Sequence, residues 1–157
     1  MNQFRIALIV GVLFSAGSVL AQEVTADTMQ ALKDKVKADK KLVVSANMNL
    51  TESEAKGFWP IYESYQKDLG EINQRLAKLI TSYADAYNSN TLDDAKAKTL
   101  VNEAVAIENA EAALKKSYIP KLEKVLPMKK VAVYYQIENK IRAVVRYELA
   151  SEIPLAK

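Results

Sequence analysis

FWPIYESYQKDLGEINQRLAKLITSYADAY, residues 58–87, is the stretch on which the fold turns. Its apolar residues fall at Phe58, Tyr62, Tyr65, Leu69, Ile72, Leu76, Leu79 and Tyr83. The steps alternate strictly, four then three, which is the seam of a long helix packed along another helix. Glu63, Lys67, Glu71 and Arg75 form a ladder of opposite charges four apart on the outer face. Just upstream, Thr51-Glu52-Ser53-Glu54 has the form of a capping box that opens this helix. Pro60 lies inside the pattern, and because the seam runs through it, it reads as a kink and not an end.

Asn88-Ser89-Asn90 is a polar break, after which Thr91 with Asp94 restarts a helix in the same capping style. A matching seam follows at Leu100, Ala104, Ile107, Glu111, Leu114, Tyr118, Leu122 and Val125. Folding back through the short break makes an antiparallel hairpin whose facing residue numbers sum to about 180. Leu79 then meets Leu100, Leu76 meets Ala104, Ile72 meets Ile107, Tyr65 meets Leu114 and Tyr62 meets Tyr118. Pro60 and Pro120 come to the same level, where paired kinks would curve the hairpin.

Leu126-Pro127 separates this helix from a last one that runs to about Ser151, with proline suited to the first helical turn. Val131, Tyr134, Ile137, Ile141, Val144 and Val145 make its broad apolar face. Glu138 lies within that face and Arg142 and Arg146 at its margin, so a paired, partly buried network of Glu111, Glu138, Arg142 and Arg146 is expected. Ahead of the hairpin, Met29, Leu32, Val36 and Val43 have near-helical spacing, with Asp27 a plausible N-cap. The other face of this first helix is lysine-rich (Lys33, Lys35, Lys37, Lys40, Lys41), relieved by Asp34 and Asp39. It reads as a solvated face more than as a surface for anionic lipid, since the apolar stripe is thin and lacks interfacial aromatics. The expected fold is all-α: four helices, built on a long kinked antiparallel hairpin with flanking N- and C-terminal helices.

Composition agrees with this. The chain has 157 residues, four each of glycine and proline, and a net charge of +3. That is one domain's length, helix-favouring, and too weakly basic for a nucleic-acid binder. At the N-terminus, Arg5, the apolar run from Ile6 to Phe14 and Val19-Leu20-Ala21 read as a signal peptide cleaved after Ala21, followed by a helical domain over 22–157. The apolar run is short for a bilayer span. There is no cysteine, so an exported chain is held by its core alone. The lack of cysteine and histidine also removes the commonest metal ligands and nucleophile–base pairs. No glycine-rich phosphate loop is present, and the carboxylates sit on helical ladders. The chain reads as a non-enzyme without cofactor or metal.

Asn49-Leu50-Thr51-Glu52-Ser53-Glu54 before Phe58-Trp59 resembles the first Leu-Thr-x-x-Gln motif of the Spy/CpxP-like periplasmic proteins. Leu126-Pro127-Met128-Lys129-Lys130 before Tyr134-Tyr135 resembles a degenerate second copy. Glu54 and Lys130 stand where the motif has glutamines, and Pro127 where it has a threonine. The resemblance implies a periplasmic, all-helical hairpin protein that forms a curved dimer. Such a protein acts as an ATP-independent chaperone, restrains an envelope-stress sensor or responds to metal. On that reading an aromatic face of Phe58, Trp59, Tyr62, Tyr65, Tyr134 and Tyr135 meets unfolded clients. The alternative is a dedicated accessory subunit whose same face packs on one partner protein. A third reading places these aromatics in the core of the four-helix domain.

Overall fold

The computed structural model describes residues 39–156. The signal-peptide-like stretch and the positions from Asp27 to Lys37 lie outside the described residues. The fold is all-α. Helix α1 covers residues 39–48, α2 Glu52–Asn88, α3 Asp94–Glu123 and α4 Met128–Glu152, with no strand among the described residues. The chain divides into two compact units, one of residues 50–131 with 154–156, the other of 39–49 with 132–153.

In the first unit, α2 opens on the expected capping box. Thr51 Oγ1 accepts from the Glu54 N–H at 3.3 Å, and the Thr51 N–H donates to Glu54 Oε2 at 2.7 Å. The helix continues through Pro60, and α3 through Pro120. Both prolines are exposed, as are Lys56 and Lys116 one turn before them. The carbonyls that lose an N–H partner therefore face water, which limits the cost of proline inside a helix.

The end of α2 is a Schellman motif. The Asn90 N–H donates to Tyr87 O at 3.3 Å and the Thr91 N–H to Ala86 O at 2.9 Å. Asn90 carries the positive φ (56°) that the motif needs, and asparagine tolerates it. Thr91 is thereby committed to closing α2, and its hydroxyl lies 2.9 Å from that of Ser89. The cap of α3 falls to Asp93, whose Oδ1 accepts from the Lys96 N–H at 2.7 Å. This corrects the reading of Thr91 with Asp94 as the cap.

Helices α2 and α3 pack on each other, and the contacts run in opposite directions along the chain, Tyr65 meeting Tyr118 and Arg75 meeting Glu103. A Cβ added at Gly57 would stand 2.8 Å from Cγ1 of Val125, in the turn just after α3, so α2 passes that turn closely where glycine leaves room. Tyr65 meets the Tyr118 ring edge-on at 5.2 Å, and Arg75 pairs with Glu103 at 3.0 Å. Tyr118 was expected opposite Tyr62, yet its ring packs on Tyr65 and its hydroxyl donates to Asp68 Oδ2 at 2.6 Å. Helical side chains lean toward their own N-terminus. In an antiparallel pair, both leans carry the contact toward higher residue numbers on the facing helix.

No seam residue of either helix is exposed. Phe58, Tyr62, Tyr65, Leu69 and Ile72 are buried from α2, and Ile107, Glu111, Tyr118 and Leu122 from α3. In the same unit, the Tyr83 hydroxyl donates to Pro154 O at 2.7 Å. Burial, and then the neighbouring Tyr87, raise the Tyr83 pKa above its ordinary value.

In the second unit the core comes from Val44 and Met48 of α1 and from Tyr134 and Ile137 of α4. Val43, expected on the apolar face, is exposed. Val44 and Met48, four apart, take that face instead. Lys40, expected among solvated lysines, is half-buried.

Candidate functional site

The six aromatic residues expected to form a binding face divide by burial. Phe58, Tyr62 and Tyr65 in the first unit and Tyr134 in the second are core, each at most 3% exposed. This corrects their placement on a binding face: the seam positions of a packed helix are the positions its neighbour covers. Trp59 and Tyr135 are half-exposed. Trp59 stacks edge-on against Phe58 (centroids 5.0 Å apart) and Tyr62 (5.3 Å), so one side of the indole is anchored on the core. Tyr135 lies tilted against Tyr134 at 5.5 Å. Its pKa is pushed up to about 12, first by burial and then by the charge of Glu138. The phenol is therefore a neutral hydrogen-bonding group at physiological pH.

The two motif-like stretches meet. Glu54, the third residue of α2, accepts from Lys130 Nζ at 2.5 Å through the Oε2 that also accepts from the Thr51 N–H. Lys130 lies in the first turn of α4, which carries no acidic residue, so its charge opposes the helix dipole there. Glu54 supplies the missing negative charge from another helix while closing its own cap. The charged pair thus stands at the two positions where the resembling motif has glutamines.

The Lys130 hydrogen bond, and then the Thr51 backbone, hold the Glu54 carboxyl below its ordinary pKa of 4.5. A depressed carboxylate stabilises the fold above its unfolded pKa, and that contribution is lost as pH falls through the folded value. The melting temperature of Glu54→Gln should therefore lie below wild type at neutral pH. In thermal melts the gap should close once pH drops below the usual carboxylate range, near about pH 4. A gap that persists in acid would show that geometry, and not charge, carries the contact.

Of the expected charge network, Glu111 and Glu138 are buried, each 4% exposed. Glu111 pairs with Lys115 one turn on, at 3.1 Å. Glu138 accepts from Lys40 at 2.8 Å, a partner 98 residues away that the sequence reading assigned to solvent. Only packing of α1 could reveal it. Arg142 is half-buried and Arg146 exposed.

An open groove on the first unit is lined by Asp68, Glu71, Ile72 and Arg75 of α2 and by Ala110, Ala113, Leu114 and Ser117 of α3. Its acids sit beside Arg75 and the small residues of α3, with no nucleophile–base pair among the lining residues. Among the described residues, no three His, Cys, Asp or Glu side chains gather as a metal-holding group. No helix of the described residues is long and apolar enough to cross a membrane. What the surface offers is contact area: half-exposed Trp59, exposed Val101 and Val105 on α3, and exposed Met128 at the start of α4. Comparison with protein-family models, with curated proteins and with solved structures finds no match to this chain.

Proposed function

We propose that this chain is a non-catalytic, periplasmic binding protein of the Spy/CpxP-like kind. It acts as an ATP-independent chaperone or envelope-stress adaptor that holds exposed apolar segments of other proteins. The observation that carries the reading is the Glu54–Lys130 ion pair, which joins the two stretches that resemble the family's repeated motif. Export rests on the signal-peptide-like N-terminus. With Phe58, Tyr62, Tyr65 and Tyr134 in the core, client contact falls to half-exposed Trp59 and to exposed aliphatic residues elsewhere on the surface, such as Val101 and Val105 of α3. An indole anchored on one side supplies contact area at low entropic cost.

The purified protein should suppress aggregation of an unfolding model client without ATP, and Trp59 fluorescence should shift when the client is added. Trp59→Ala should weaken suppression several-fold while leaving the helical signal and the melting temperature close to wild type. No suppression by wild type at several-fold excess would exclude the chaperone reading.

A second reading, a dedicated accessory subunit of one partner, is favoured by the character of the half-exposed aromatics. Promiscuous surfaces are flexible and methionine-rich, whereas the half-exposed residues here are the aromatics Trp59 and Tyr135. Crosslinking in the native compartment separates the two readings. One dominant adduct marks a dedicated subunit, and many weak ones mark a chaperone.

A further inference from the structure

Helix α4 keeps its apolar face past the point where its burial ends. Tyr134, Ile137 and Glu138 are buried, but from residue 139 to the end of the helix at Glu152 no residue is. The apolar face was expected to run on through Val144 and Val145, yet these are 49% and 43% exposed. At 100° per residue, Ile141, Val144, Val145, Glu148 and Leu149 continue the side of Tyr134, Ile137 and Glu138. Ile141, Glu148 and Leu149 are half-buried, whereas Ala143, Tyr147 and Ala150 on the far side are exposed. The face continues, but its cover is incomplete.

Helix α1 shows what covers the first part. Lys40 pairs with Glu138 at 2.8 Å, and Val44 and Met48, one and two turns further on, are buried. Within this unit α4 has buried residues only at Tyr134, Ile137 and Glu138, on the N-terminal side. Rising numbers on α1 therefore meet falling numbers on α4, an antiparallel pair whose facing residues sum to about 178, as Lys40 and Glu138 do. In that register Asp39, the first described residue of α1, stands opposite residue 139, where burial on α4 stops.

The chain just before α1 lies outside the described residues, and its sequence fits what is missing. Residues 26–38, Ala-Asp-Thr-Met-Gln-Ala-Leu-Lys-Asp-Lys-Val-Lys-Ala, contain no glycine or proline, so no residue among them breaks a helix. Carried back, the register sets Lys37 against Ile141, Lys33 against Val145 and Met29 against Leu149. Asp27, the expected N-cap, falls opposite Ser151, at the end of α4. The helical period of Lys40, Val44 and Met48 turns the same Lys37, Lys33 and Met29 toward α4. Lysine stems cover apolar side chains while their ammonium groups reach outward, and Lys33 comes within one turn of Glu148. That repeats the lysine-to-glutamate pairing seen at Lys40 and Glu138.

We infer that residues 26–38 extend α1 as one helix and cover the rest of this face, formed by Ile141, Val144, Val145, Glu148 and Leu149. Continuity selects this occupant. A segment joined to α1 meets the face at an effective concentration of order millimolar, which a second copy or a separate partner at micromolar concentration does not match. Lys33 and Lys37 are then interface residues like Lys40, and not part of a solvated face.

The chain has no cysteine, so an introduced disulfide reads the register directly. In the protein purified as the cell matures it, Lys33→Cys/Val145→Cys should oxidise to an intramolecular bond. Lys33→Cys/Tyr147→Cys, at a similar level but on the far side of α4, should oxidise at least about tenfold more slowly. Hydrogen exchange gives a reading without cysteines. Amides of residues 30–38 should be protected in the wild-type protein. Val145→Asp/Leu149→Asp should reduce that protection at least about tenfold while α2 and α3 keep theirs.

A disulfide-linked dimer from Lys33→Cys/Val145→Cys would assign the face to a second copy and overturn the inference. Absence of the bond, equal oxidation of the two double variants, or unprotected amides over residues 30–38 in the wild-type protein would overturn it as well.

Discussion

Phe58→Ala should destabilise the protein by about 4 kcal/mol, whereas Trp59→Ala, one residue along, should have little effect on stability. Phe58 is fully buried in the α2 seam, and truncating it removes the ring's transfer free energy and leaves a cavity that helix packing closes only in part. Its ring is also the surface on which Trp59 and Tyr62 rest, at 5.0 and 5.9 Å. Trp59 fluorescence of the folded variant should therefore move toward that of a wetter indole. Denaturant melts of the two single variants, read by circular dichroism, check the contrast. Similar losses at both positions would put Trp59 in the core and remove it from the proposed client surface.

Lys40→Met should cost about 3 kcal/mol or more, and Lys40→Met/Glu138→Leu should recover much of that loss. Glu138 is 4% exposed and pairs with Lys40 at 2.8 Å; the Lys40 side chain is itself only 16% exposed. Removing the cation takes away the ion pair that this buried carboxylate makes across the unit, while removing both charges also removes the need for that compensation. Single and double variants in urea melts give the coupling. A coupling below about 1 kcal/mol would class the pair with exposed ion pairs.

The heptad-like seam made α2 and α3 legible from residue types alone, because a helix that packs along another must repeat apolar residues at the helical period. The Thr51–Glu54 box was equally plain, since both partners lie within four residues. Legibility failed where the partner is distant in the chain or absent. Tyr62 and Trp59 are both aromatic neighbours in sequence, yet Tyr62 is 3% exposed and Trp59 half-exposed, because only Tyr62 falls on the seam. The hairpin sum placed Tyr118 on Tyr62, and the lean of the side chains moved it to Tyr65 and Asp68.

What the sequence determined by itself is therefore local: helix starts at Thr51 and after Pro127, passage through Pro60 and Pro120, the break at Asn88–Asn90, and which face of α2 and α3 is buried. Each follows from backbone hydrogen bonding or side-chain periodicity within a few residues. The tertiary structure decided the rest. It paired Glu54 with Lys130 across 76 residues and Glu138 with Lys40 across 98, and it ended the α4 core at Glu138 while the apolar sequence ran on to Tyr147. Ion-pair choice and burial depend on which surfaces meet in space, and periodicity along one helix states only which surface is apolar, not whether anything covers it.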